Sequence, residues 1–182
     1  MSLVVLRGSV SPFVRKVRVF LAEKGVDYDL DPVNPFAPPE GWREISPLGR
    51  IPAMRDGERV INDSSVICQY LERRHPQPAL YPSDDLEFAR ALWIEEYMDG
   101  GFVPIAGAKV FRPLVLQPLF TRKPIDDAAE AAAREVVEKE LSPLFDYLER
   151  ELGDREWFVG EGITIADISV ASPFVKIGRA HV

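Results

Sequence analysis

The chain has 182 residues, 46% of them apolar and 28% charged, and carries a net charge of −7. That acidic balance argues against a general nucleic-acid surface and against an anionic membrane as partner. No apolar run approaches the roughly 18 residues of a membrane span, and no basic-then-apolar signal pattern stands at the N-terminus. One cysteine, Cys68, excludes an internal disulfide framework and any paired-cysteine redox or metal motif, and His75 and His181 are the only histidines. A cytoplasmic protein without a metal is expected.

Leu3 to Arg7 is an apolar run that predicts a buried strand. From Pro12, the apolar positions Phe13, Val14, Val17, Phe20 and Leu21 follow a helical period, and Gly25 stands where a C-terminal cap belongs. Val26 to Leu30 alternates and predicts a second strand. Residues 31–49 are rich in proline, with room for one short helical turn at Trp42 to Ile45. Pro52 to Arg55 and Glu58 to Ile61 flank Asp56-Gly57, a strong hairpin signal. Val66, Ile67, Tyr70 and Leu71 restore the helical period after Asp63-Ser64-Ser65, and Arg73, Arg74 and His75 close that helix against its dipole before Pro76. A strand-helix-strand opening predicts a parallel pair joined by a right-handed crossover, to which the hairpin adds antiparallel strands.

Residues 77–84 are proline-rich and read as a linker between a domain at 1–76 and a second at 85–182. Strand signals then fade. Leu86 to Tyr97 predicts a helix interrupted at Gly100-Gly101, and a second runs from about Asp126 to Leu152 with a kink expected at Pro143. A third opens in "GITIAD", where Thr164 can cap, Asp167 can reach back, and Ile163 can staple to Ile168.

Four stretches in order, "SPFVRKVRVFLAEKG", "SPLGRIPAM", "VINDSSVICQYLERR" and "FVGEGITIADIS", resemble the glutathione transferase superfamily and span almost the whole chain. The Ser-Pro-Phe of the first is similar to the serine-type transferases. The resemblance implies a thioredoxin-like α/β N-terminal domain that binds glutathione and an all-α C-terminal domain that supplies most of the electrophile pocket. It matches Ser11 to the serine whose hydroxyl bonds the glutathione sulfur. Ile51 matches the residue whose backbone pairs with the cysteinyl part, and Pro52 the cis-proline that exposes that backbone. Asp63-Ser64 matches the acid-serine pair holding the γ-glutamyl end. Arg50 matches a basic position contacting the tripeptide's acidic groups. Asp63 stands where the family commonly has glutamate and is one methylene shorter.

Each of these residues also has a plain structural reading. Ser11-Pro12 is ordinary punctuation at the start of a helix, and Asp63-Ser64-Ser65 is an ordinary N-cap. Arg50 alone would be a solvated charge. Arg15, Lys16 and Arg18 read as a solvated helix face, with Arg15 adding positive potential near the site. Cys68 falls between apolar neighbours and reads as packing. Trp93, Tyr97, Met98, Phe102 and Phe111 are core by default at their helical spacing.

The function so implied is addition of the glutathione thiolate to a small soft electrophile, with glutathione as cosubstrate, no cofactor, and a homodimer by analogy. A glutathione-dependent isomerase or dehalogenase would use the same thiolate, and a non-catalytic binding or regulatory protein would keep the fold alone. The chain's end carries a further expectation. Family members continue for some tens of residues past the helix opened by Thr164. The last six residues, "IGRAHV" at 177–182, resemble one translated frame of a sequencing-library adapter. A truncated helical domain with an artefactual tail is therefore expected, leaving apolar side chains of the last helix exposed.

Overall fold

A computed structural model describes residues 3–8, 10–34 and 36–174. Four strands form one sheet in the order β2-β1-β3-β4: β1 Leu3–Arg7, β2 Tyr28–Pro32, β3 Ala53–Asp56 and β4 Arg59–Asn62. β1 and β2 are parallel, with Leu3 opposite Tyr28 and Arg7 opposite Pro32. β3 runs antiparallel to β1, with Leu6 opposite Ala53, and β4 antiparallel to β3. The connections leaving β1 and β2 and the one entering β3 therefore meet at one end of the sheet.

Helix α1, Pro12–Glu23, opens with Ser11 as N-cap and proline in the first turn. It closes in a Schellman arrangement around Gly25, which adopts φ 63°. There the Val26 N–H donates to Leu21 O and the Gly25 N–H to Ala22 O, both at 3.0 Å. Val26 is thus spent on the cap, which explains why β2 begins two residues later than its alternation predicts. The hairpin is also shifted, by one residue. Asp56 pairs with Arg59, so the turn residues are Gly57 and Glu58, with Gly57 at φ 61°.

The sheet's pleat sends neighbouring β1 side chains to opposite faces. Leu3 and Val5 join Val17, Phe20 and Leu21 of α1 and Ile67, Cys68 and Leu71 of α3 (Ser64–Arg74) in the main core. Leu6 packs on the other face with Val33, Ala53 and the buried Trp42 of α2, Trp42–Ile45. The short helical turn read from the sequence is the cover of that second face.

The rest is helical. α4, Asp85–Glu96, runs on without a break through a wide-turn stretch Tyr97–Phe102, α5 Val103–Ala106, a second wide stretch Gly107–Leu116 and α6 Gln117–Thr121. The interruption expected at Gly100-Gly101 does not occur. α7 Asp127–Val136 likewise continues through a wide stretch Val137–Leu141 into α8 Ser142–Leu152. The prolines explain the wide turns. Val103, Gln117 and Ser142 each precede a proline, and each donates its N–H to the carbonyl five residues back, at Met98, Arg112 and Val137. A proline ring clashes with the carbonyl four back and has no N–H, and a π-type turn rearranges the carbonyls around it. Pro143, where a kink is expected, directly follows the third wide turn, and the helix runs on through it.

α9, Ile165–Ala171, opens on the expected box. The Thr164 N–H and Oγ1 donate to Asp167 Oδ2 at 2.8 and 2.9 Å, and Asp167 Oδ1 also accepts from the Phe158 N–H at 2.9 Å. Ile163 and Ile168 belong to the same apolar cluster, as the staple requires. α9 packs against α4 and α1, and the Ile165 N–H donates to Leu80 O of the connecting segment at 2.8 Å. Ile168 is buried, whereas Phe174 is half exposed, its ring packed against Phe102 and Phe145. The tail expected to be artefactual, 177–182, lies outside the described residues.

Candidate functional site

Four chain segments enclose a cleft of about 550 Å³ beside the meeting end of the sheet. Phe13 comes from α1; Ser46, Pro47, Leu48, Arg50, Ile51 and Pro52 form the approach to β3. Asn62 to Ser65 lead into α3, and Glu96, Asp99 and Gly100 face them from the helical half. Of the predicted site residues, Arg50, Ile51, Pro52, Asp63 and Ser64 are gathered around this one cleft. Ser11 is not in its lining; it stands at the start of the helix that contributes Phe13.

Local chemistry holds each segment. The Ser46 hydroxyl donates to Arg50 O at 2.8 Å and accepts from the Arg50 N–H at 3.0 Å, closing the 46–50 loop on itself. Asn62 ties this loop to the end of β4 by donating to Ile45 O at 2.9 Å. The Ile51-Pro52 peptide is cis, as the resemblance implied. Asp63 caps α3, its Oδ1 accepting from the N–H groups of Ser65 and Val66 at 2.9 and 3.4 Å. Its Oδ2 takes no part in the cap. Its backbone lies at φ 74°, ψ 134°, a region that only glycine enters without strain. Ser64 beside it is buried, and its hydroxyl bonds to no described residue. Among the cleft residues Arg50 carries the positive charge, opposite Asp63, Glu96 and Asp99.

The Ser11 Oγ accepts from the Val14 N–H at 3.3 Å, so the capping reading is correct. A hydroxyl that accepts in this way keeps its own hydrogen to donate, so capping does not consume it. The first turn of α1 holds no acidic residue to oppose an anion.

The cationic face expected on α1 is solvated only in part: Arg18 is exposed, but Arg15 is half-buried and Lys16 is buried. Arg15 Nε donates to Ser172 O at 2.7 Å and its Nη1 to Val10 O at 3.4 Å, pinning the segment before Ser11 to the end of α9. Lys16 is 1% exposed and pairs with Glu95 and Asp99. Burial alone would lower its pKa, but the two carboxylates outweigh that and hold the ammonium above its usual range. Cys68 is fully buried, and burial pushes its thiol well up, which fits packing. Met98 and Phe102 are core as expected, while Trp93 is half exposed with its indole N–H donating to Tyr147 at 2.6 Å.

Sequence reasoning missed Ser46, Asn62, Ser65, Glu96 and Asp99. Ser46 sits within the quoted "SPLGRIPAM", but its role is a backbone brace that spacing does not reveal. Glu96 and Asp99 lie on the helical half, and packing across the cleft rather than any local pattern brings them there.

A four-stranded mixed sheet flanked by helices, followed by an all-helical half, with a cis-proline and an acid-serine helix cap at one cleft, defines a thioredoxin-like domain joined to a helical domain. Residues 8–79 match the N-terminal domain of glutathione S-transferases and residues 102–180 their C-terminal domain. This chain belongs to the glutathione S-transferase family. It is 36% identical to glutathione S-transferase Z2 of Arabidopsis thaliana over 57% of the chain and 48% of that protein. It is 28% identical to a probable maleylacetoacetate isomerase of Drosophila melanogaster over 91% of the chain and 65% of that protein. The chain thus aligns with less than two thirds of either relative's length. A glutathione S-transferase structure from Methylobacillus flagellatus with glutathione bound superposes with a TM-score of 0.74 at 30% identity, covering 95% of this chain and 81% of that one. Among the described residues no helix is long and apolar enough to cross a membrane, and no group of three metal-binding side chains is found.

Proposed function

We propose that this protein binds glutathione in the cleft and directs its thiolate at a small soft electrophile. The observation that carries the reading is the convergence of Arg50, Ile51-Pro52 and Asp63-Ser64 on one cleft from separate parts of the chain. Their chemistry suits the tripeptide. The free Asp63 Oδ2 accepts from the γ-glutamyl ammonium, and the Ser64 hydroxyl donates to the neighbouring carboxylate at the N-terminus of α3. The Ile51 backbone pairs with the cysteinyl unit, and Arg50 meets a carboxylate. Ser11 donates to the sulfur from the start of α1.

The energetics are modest. A cysteine thiol has a pKa of about 8.5, and lowering it by about two units takes about 2.7 kcal/mol of thiolate stabilisation. One hydroxyl donor and a helix N-terminus together supply that much. The division into domains at 77–84 belongs to the same proposal, supported by the lack of helix or strand between α3 and α4. So does a homodimer, supported by Val66, Leu86 and Trp93 standing exposed on α3 and α4.

The test is calorimetric titration with glutathione alongside turnover across a panel of electrophiles. The panel includes a cis-trans isomerisable dicarboxylate, because the similarity to a probable maleylacetoacetate isomerase favours that second use of the thiolate. Binding with turnover supports the proposal. Binding without turnover of any member assigns a binding or regulatory role, and no binding at all rejects the glutathione reading. Ser64→Ala is expected to weaken glutathione binding about ten-fold while sparing turnover at saturation, because its contact is the same in ground and transition states. An unchanged dissociation constant would return Ser64 to structural duty.

A further inference from the structure

The ammonium of Lys16 makes three contacts, and together they join the parts of the chain that border the cleft. It donates to Ser65 Oγ at 3.0 Å, to Glu95 Oε1 at 2.9 Å and to Asp99 Oδ2. The Ser65 hydroxyl in turn donates to Asp99 Oδ2 at 3.2 Å, closing a triangle. All three N–H groups of the ammonium are used, as a buried cation requires. Ser65 is the second residue of α3, directly after Ser64, and both Ser65 and Asp99 line the cleft. Glu95 and Asp99 belong to the helical half. Lys16 itself is 1% exposed and does not line the cleft, so it cannot touch a ligand there. It lies on the helix that begins at Ser11.

We infer that Lys16 is a positioning residue for glutathione: it fixes Ser65 and Asp99, and through them the Asp63-Ser64 turn, at the spacing the γ-glutamyl end requires. This rests on the glutathione reading above. A buried ion pair is weak evidence for stability in its own right, since desolvation offsets its attraction. Its geometric consequence is specific here, because the pair crosses from the α/β half to the helical half where the ligand would lie between them. With Lys16 gone, Glu95 and Asp99 keep two unpaired carboxylates and repel, Asp99 turns outward, and Ser65 loses a partner.

The experiment compares Lys16→Met, Lys16→Arg and Ser65→Ala with the wild type. Lys16→Met is expected to raise the KM and Kd for glutathione about ten-fold, with kcat at saturating glutathione within about two-fold. Lys16→Arg, which keeps the cation, should recover most of the loss. Ser65→Ala should raise KM about three-fold, and the Lys16→Met/Ser65→Ala double variant should be no worse than Lys16→Met, because both act through one network. A wild-type KM in folded Lys16→Met overturns the inference. So do strictly additive effects in the double variant, or equal loss of kcat and kcat/KM. Where Lys16→Met does not fold, Ser65→Ala decides, and an unchanged KM there overturns it. Glutathione binding by the wild type with unaffected variants defeats this inference alone; no binding by the wild type defeats the underlying reading.

Discussion

Ser11→Ala is expected to lower turnover about 10-fold to 100-fold while leaving glutathione affinity within a few-fold, equivalent to about 1.4 to 2.7 kcal/mol in the transition state. The hydroxyl accepts from the Val14 N–H at 3.3 Å, a long capping bond, and has its hydrogen left to give. A sulfur that gains negative charge benefits from that donor more than a neutral thiol does, so the loss falls on the reactive form. The direct measurement is ultraviolet titration of the bound thiol, whose pKa should rise by one to two units, about 1.4 kcal/mol each, in the variant. The cap makes a separate contribution. Its removal should cost about 1 kcal/mol of stability, visible as a small shift in the denaturant midpoint. A stability loss with the thiol pKa unmoved would leave Ser11 as a cap and nothing more.

Asp167→Ala should be strongly damaging to the fold. One carboxylate receives the Thr164 N–H, the Thr164 hydroxyl and the Phe158 N–H, all within 2.9 Å, and so joins the start of α9 to the segment before it. Alanine leaves these donors without an acceptor at a place where Thr164, Ile165 and Ala166 are buried. The expected loss is about 3 kcal/mol, or a fall in Tm of roughly 6 to 12 °C for a chain of this size. Asp167→Asn keeps one acceptor oxygen and should lose about 1 kcal/mol. Differential scanning calorimetry on both variants checks the pair. A Tm for Asp167→Ala within about 2 °C of wild type would refute the capping account, since loss of a box of this kind ordinarily costs more.

The elements whose signals are local were legible in the sequence. Thr164 with Asp167, Asp63 before α3, and Ser11-Pro12 all lie within one turn of what they cap, and each is where the pattern places it. The errors arise where a second, longer-range requirement competes. Val26 has strand character, but the Schellman cap takes its N–H first. Gly100 looks like a breaker, yet a wide turn carries the helix through it, which no propensity scale records. Lys16 has the same sequence character as Arg18 beside it. Only the arrival of Glu95 and Asp99 from the other half distinguishes a buried network from a solvated charge. The proposed glutathione contacts were legible through resemblance because they lie in short contiguous stretches. The helical wall of the cleft was not, because Glu96 and Asp99 are brought there by packing.

The backbone at Asp63 sets thermal robustness against chemistry at a single position. An L-residue at φ 74°, ψ 134° carries about 1 to 3 kcal/mol of strain, which glycine would release. Glycine is also a serviceable N-cap, only a few tenths of a kcal/mol poorer than aspartate. Asp63→Gly is therefore expected to leave Tm unchanged or raised while abolishing recognition of the γ-glutamyl ammonium, which calorimetry with glutathione would register. A laboratory selection for heat resistance alone would drift toward glycine there and discard ligand binding unnoticed.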